Sequence, residues 1–230
     1  GELEGYSAPL VVEEGIRWLK EKRDPKKPFF LNVWTHEPHL PIESDPKFME
    51  LYKEFDDDGI RQHHGNVTQI DHAFGNLMKA LDELGETENT FVIFTSDNGG
   101  HGRITSHHPL RGNKGNFYEG GIRVPLIVRW PGVVSPASEC QVPVISTDFF
   151  PTILEMAGLA AQPENHMDGE NIVPLLKQQD ILKRDALYWH YPNYIGAGHL
   201  GGARPCSVIR KGDWKLIESL EDNRLQLFNL

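Results

Sequence analysis

Asp97 and Asn98 come directly after the apolar run Thr90 to Ser96 (TFVIFTS). A carboxylate beside a side-chain amide offers hard oxygen ligands of the kind Ca2+ or Mg2+ takes. His36 and His39 follow a second apolar run, Phe29 to Thr35 (FFLNVWT), and imidazoles there could move protons or hold a leaving oxygen. The third stretch, HHPLRGNKGNFYEGGIRVP at 107–125, sets Arg111, Lys114 and Arg123 among Gly112, Gly115, Gly120 and Gly121. Glycines let backbone and cations close on an anion, and lysine supplies a compact charge for its oxygens. Each stretch has a plainer reading when taken alone. Asp-Asn-Gly favours a turn, His39 between Pro38 and Pro41 fits a solvated loop, and cations of a Gly-rich segment fit a mobile surface. Against the last stand Tyr118, Ile122 and the immediate entry into an apolar run, which suggest a loop pinned to the body of the protein.

The elements that must position these residues can be read from periodicity. Leu10, Ile16 and Leu19 among charged residues predict a surface helix over 9–23, with Pro9 in its first turn and an end near Asp24-Pro25. Phe29 to Thr35 reads as a strand buried on both faces, followed by the Pro- and His-rich loop THEPHLPIES. Val67, Ile70, Phe74, Leu77, Leu81 and Leu84 step by three and four, which predicts a long helix stopped at Gly85. Thr90 to Ser96 and Val124 to Trp130 read as further buried strands, Val142 to Ser146 as a fourth, and Thr147 or Asp148 as the cap of a helix ended by Gly158.

Apolar strands alternating with helices imply an α/β fold with a mostly parallel sheet flanked by helices over residues 1–185. Beyond that the texture changes. CSVIRKGDWKLIES and LQLFNL read as strand, turn, strand and strand with no helix between them, the start of a small antiparallel sheet within 186–230.

Composition narrows the function classes. The 230 residues hold 39% hydrophobic and 24% charged residues, an ordinary globular mixture, with 23 Lys and Arg against 33 Asp and Glu for a net charge of −10. That balance argues against nucleic acid or an anionic membrane as a bulk electrostatic partner. Two cysteines, Cys140 and Cys206, are too few for a disulfide framework. No apolar run approaches the ~18–20 residues that span a bilayer.

Taken in order, H-x-P after an apolar strand, IDHAFGNLMKALDELG, FVIFTSDNGG, KGNFYEGGIRVPLIVRWPG, TDFFPTILEMAG and the closing RKGDWKLI resemble the sulfatase family of the alkaline phosphatase superfamily, of the arylsulfatase and N-acetylgalactosamine-6-sulfatase type. The resemblance covers nearly the whole chain and implies an alkaline phosphatase-like fold, here incomplete. It implies that Asp97 and Asn98 are calcium ligands, that Lys114 contacts the sulfate group, and that His39 holds a sulfate oxygen or the leaving oxygen. His36 is a neighbour of that histidine, whereas Glu119 and Arg123 read as braces of the loop. The family's members imply a periplasmic, secreted or lysosomal setting.

One departure decides what the chain can do. These sulfatases attack with a formylglycine made from the Cys or Ser of C/S-x-P-S/A-R, and no such motif occurs here. Cys206-Ser207-Val208-Ile209-Arg210 imitates the spacing but has Val where Pro is required, and reads as strand. The family's paired aspartates and its K-x-H motif are also absent, and Asp56, Asp57 and Asp58 read as a solvated turn. The expectation is therefore the C-terminal part of a longer sulfatase, inactive alone, binding Ca2+ weakly and inclined to self-associate. Its substrate would be a sulfated carbohydrate or an aryl sulfate. His101, with His107 and His108, lies in the cleft loop, and Trp189, His190, Asn193 and Tyr194 either line a sugar cleft or pack between sheets. Two other readings stand beside this one: a zinc phosphatase or phosphodiesterase, and a non-catalytic protein that binds sulfate or glycan.

Overall fold

The computed structural model describes residues 4–179, 182–194 and 204–230. They divide into two units, residues 4–90 with 103–106, and 91–102 with the described part of 107–230. In the first unit α1 (Ser7–Arg17) continues through one wider turn, Trp18–Lys22, and stops at Arg23, just before Asp24-Pro25. The single turn α2 (Pro46–Met49) is capped by Asp45, whose carboxylate accepts from the Lys47 amide. The long helix α3 (Asp58–Glu83) is capped by Asp57, which accepts from the Ile60 amide at 3.0 Å, and it ends at Gly85 with φ of 69°.

Helices α1 and α3 bury Ala8, Val12 and Ala73, with Ile16, Val33, Ile70 and Leu77 around them. The three-four step is thus the packed stripe, with one correction: Val67 is exposed, and Asn66 and Gln69 lie buried instead. Buried amides need partners. Asn66 donates to the Glu43 carbonyl at 2.8 Å, while Gln69 accepts from the Asp45 amide at 3.0 Å and donates to Glu37 Oε1 at 3.2 Å.

Residues 29–35 correct a second expectation. They are extended and alternate between half-buried and exposed, with Leu31 and Val33 toward α1 at Gly15 and with Phe30 and Trp34 69% and 81% exposed. No described strand pairs with them. An uninterrupted apolar run reports that both faces can be buried; it does not supply the neighbouring strand that makes a ladder.

In the second unit β1 (Val92–Thr95) and β2 (Leu126–Arg129) fall inside the expected runs but pair antiparallel, Val92 opposite Arg129 and Thr95 opposite Leu126. Among the described residues every ladder is antiparallel, so the parallel pairing expected of these runs is not the one found. Strand apolarity is the same for either direction once both faces are covered, which is why sequence alone did not separate them. Between β1 and β2 lies the one-turn helix α4 (Glu119–Ile122). Residues 142–145 form no strand; they lead into a 3-10 turn, Ser146–Asp148, and then α5 (Phe149–Met156), which ends at Gly158 with φ of 66°. After α6 (Val173–Leu176) come β3 (Ala186–Tyr191), β4 (Cys206–Lys211), β5 (Trp214–Ser219) and β6 (Leu225–Asn229), an antiparallel meander in chain order. Its inner face buries Cys206, Val208 and Ile217 against Phe117, Tyr118, Trp189 and Phe228. No helix of the described residues is long and apolar enough to cross a membrane.

Asp148 ties the middle of this unit together. Its carboxylate is fully buried and accepts from the amides of Ile145 and Glu170, both at 2.9 Å, and from the Arg184 guanidinium at 2.6 Å. Asp148→Ala leaves a nearly buried cation with only the Pro143 carbonyl, and two amides without that acceptor, so it is expected to lower stability by about 3–5 kcal/mol. Urea unfolding would measure this, and a loss under about 1 kcal/mol would contradict it.

Candidate functional site

In the first unit the loop after residues 29–35 brings His36 and His39 together, ring centroids 5.4 Å apart. The His39 amide donates to the His36 carbonyl at 2.9 Å, closing the turn. His39 Nδ1 lies 2.8 Å from the Leu40 carbonyl, which only accepts. The neutral ring therefore carries its proton on Nδ1, and Nε2 is the nitrogen that the Leu40 carbonyl does not occupy. Between the histidines Glu37 points inward and is buried. Its Oε1 accepts from the Ala8 amide at 2.6 Å and from Gln69, which fastens the loop to α1 and α3. His36, His39, Glu37, Asn66 and Tyr6 line a cleft of about 250 Å³. Sequence reasoning missed Glu37, Asn66 and Gln69. The signal was two amides falling on the apolar stripe of a helix, where a polar side chain needs a specific partner.

In the second unit Asp97 and Asn98 stand just beyond β1, Asp97 exposed and Asn98 half-buried. Their loop is joined to the 107–125 segment by backbone. The Gly99 amide donates to the Gly121 carbonyl and the Lys114 amide to the Gly100 carbonyl, both at 2.9 Å, while Gly120 donates to the Arg111 carbonyl at 2.7 Å. The approach is too close for side chains: a Cβ on Gly99 would lie 1.9 Å from the Gly120 carbonyl oxygen, and one on Gly121 2.0 Å from that of Asn116. The 107–125 segment is thus pinned, as Tyr118 and Ile122 suggested. Tyr118 packs edge-on to Phe228, hydrogen-bonds to Gln226 at 2.9 Å, and carries the Arg111 guanidinium 4.1 Å over its ring. The structure therefore brings Asp97, Asn98 and the Lys114 backbone onto two loops sewn to each other, with half-buried His101 on the first of them.

The C-terminal candidates have other surroundings. Trp189 faces the sheet core with Val208 and is a packing residue. His190, next along β3, projects from the opposite face, where its Nδ1 lies 2.9 Å from Ser207 Oγ. Asn193 is exposed and accepts from the Tyr194 amide at 3.1 Å, a local turn. Residues 195–200 of the same aromatic segment lie outside the described residues. Cys206 is buried in β4, and burial pushes its thiol pKa up, the reverse of an activated nucleophile. Cys140 is exposed, in a segment without the C/S-x-P-S/A-R pattern. No residue of this chain fits the formylglycine position.

Asp97 and Asn98 fit calcium by donor type. Their number falls short of the ~6–8 oxygens the ion prefers, and the described residues contain no cluster of three His, Cys, Asp or Glu that could hold a metal. The 230-residue chain is therefore expected to bind Ca2+ with a Kd of about 1 mM or weaker. Calorimetry giving tight stoichiometric binding would contradict this.

Comparison with known proteins gives these arrangements a context. The family model for sulfatases matches residues 2–159, and one described as N-sulphoglucosamine sulphohydrolase, C-terminal, matches residues 112–230. A sulfatase of Formosa agariphila is 34% identical over 99% of this chain and 45% of its own length. Arylsulfatase A of Homo sapiens is 36% identical over 82% of this chain and 35% of its own. The solved structure of Ps i-CgsB in complex with k-i-k-neocarrahexaose superposes with a TM-score of 0.84 at 26% identity, covering 96% of this chain and 48% of that one. The chain thus spans less than half the length of these relatives.

Proposed function

Because the chain belongs to the sulfatase family, we propose that it supplies the charge-stabilising part of a calcium-dependent sulfuric ester hydrolase acting on sulfated carbohydrate, and that it is inactive alone. The observation that carries this reading is the joining of the Asp97-Asn98 strand end to the Lys114 loop through Gly99, Gly100 and Gly121. Asp97 and Asn98 would hold the cation, whose charge, when bound, stabilises sulfate oxygens. Lys114 would neutralise a non-bridging sulfate oxygen as charge develops there. His39, protonated on both ring nitrogens, would give the Nε2 proton to the departing alcohol oxygen and be left as the neutral ring with Nδ1–H still held on the Leu40 carbonyl. The nucleophile has to come from outside this sequence. His36 beside His39, and His101 on the Asp97 loop, are proposed to meet the substrate. His190 and Asn193 keep that role only as sugar contacts on the C-terminal sheet. A sugar substrate is supported by the hexaose held in the related Ps i-CgsB structure. The exposed Phe30 and Trp34 support self-association of the 230-residue chain.

The test is to assay the full-length gene product on an aryl sulfate and the corresponding aryl phosphate. Preference for the sulfate ester is expected. Dominant phosphatase activity would sink the reading.

A further inference from the structure

Strand β5 carries a lysine where its alternation calls for an apolar side chain. Lys215 shares the inner face with Ile217, stands opposite Arg210 of β4 in register, and is 1% exposed. Its Nζ donates to Glu119 Oε1 at 2.8 Å and lies 5.8 Å from the centre of the Trp189 ring. The Arg210 guanidinium reaches the other oxygen, Glu119 Oε2, at 3.5 Å. Burial draws the Lys215 pKa down, and the hydrogen bond to Glu119 opposes that. Glu119 itself is buried and opens α4, directly before the two glycines that touch the strand-end loop. Contacts therefore run without a gap: from Lys215 and Arg210 to Glu119, along the chain to Gly120 and Gly121, across to Gly99, and from Gly100 to the Lys114 amide.

Stability alone does not explain charges in such a place. A buried ion pair replaced by apolar groups of similar volume is often neutral or even stabilising, whereas removal of one partner is costly. What the pair adds is direction, because two cations fix both oxygens of one carboxylate. We propose that Lys215, with Arg210, is a positioning residue for Lys114: through Glu119 it sets the 111–121 loop on the C-terminal sheet and so fixes where the Lys114 ammonium and the Asp97-Asn98 strand end stand. This rests on the sulfatase reading for what Lys114 does, but not for how it is held.

The experiment uses the 230-residue chain, residue-resolved amide exchange, and inorganic sulfate as the binding probe. Lys215→Met is expected to speed exchange of the Gly99, Lys114, Gly120 and Gly121 amides by about tenfold or more, with Val208 and Ile217 changed less than about twofold. Sulfate affinity should fall by about tenfold. The triple variant Lys215→Met, Arg210→Met and Glu119→Gln, which leaves no lone buried charge in the cluster, separates direction from stability. It is expected to recover the melting temperature while the four loop amides stay fast and sulfate binding stays weak. Recovery of protection and affinity together with the melting temperature would overturn the proposal, as would faster exchange spread evenly over β4 and β5. If the unaltered chain binds no sulfate, the sulfate role of Lys114 fails, and the exchange comparison still decides the positioning.

Discussion

Lys114→Ala in the full-length protein should lower kcat/KM for a sulfate ester by about 10²–10³-fold, the loss that follows removal of one preorganised group from a developing oxyanion. The size follows from how Lys114 is held. Its backbone is tied to the Asp97-Asn98 loop through Gly100, and that loop is tied to α4 through Gly99 and Gly121, so the ammonium starts from a fixed base. A lysine on a mobile surface loop would supply its charge only after losing side-chain and backbone freedom, and its removal would cost little. Lys114→Arg is expected to recover only part of the loss, since a planar fork cannot reproduce a compact point charge. A loss under about threefold in steady-state kinetics, against the ~10²-fold expected of an oxyanion partner, would show that the lysine only borders the site.

His39→Ala should have an effect that depends on the leaving group. With an alkyl or sugar sulfate the departing oxygen is strongly basic and needs its proton in the transition state, so a loss of about 10²–10⁴-fold in kcat is expected. With a nitrophenyl sulfate the departing phenolate is stable without a proton, and the loss should shrink toward tenfold or less, well below that general-acid range. The Nδ1 contact to the Leu40 carbonyl fixes which nitrogen does this work. Comparing the two esters on one variant also separates a general acid from a residue that merely binds sulfate, because a binding residue would penalise both alike. Equal losses would therefore reject the acid role of His39. His36→Ala, 5.4 Å away by ring centre, serves as the control for mixing up the two histidines.

Much of this was legible in the sequence because it rests on short-range rules. Helix α3 announced itself by apolar steps of three and four and by Gly85 as stop, whereas Asp57, read as part of a solvated turn, proved to be its cap. The strands β4, β5 and β6 appeared as alternating runs around Lys211-Gly212-Asp213. Asp97, Asn98 and Lys114 were singled out by motif, and Gly99 and Gly121 of their two loops are places where no Cβ fits. Pairing was not legible. Residues 29–35 and β1 look alike in composition, yet one has no described partner and the other lies antiparallel to β2. The Glu119–Lys215 contact was invisible for a different reason. It joins residues 96 apart, and nothing local to either residue names the other. A signal did exist in WKLI, where the alternation that buries Ile217 must bury Lys215 as well. Trp189 and His190 show the same alternation, one in the core and one on the outer face.

The proposed division of labour between this chain and a nucleophile supplied from elsewhere can be tested most directly by measuring nitrophenyl sulfate turnover for the 230-residue chain beside the full-length protein. The expected result is nitrophenolate release by the full-length protein and none above the buffer rate from the chain alone. Release by the chain alone at a comparable rate would contradict the assignment, since it would require a nucleophile in a sequence where C/S-x-P-S/A-R does not occur and whose two cysteines are a buried Cys206 and an exposed Cys140.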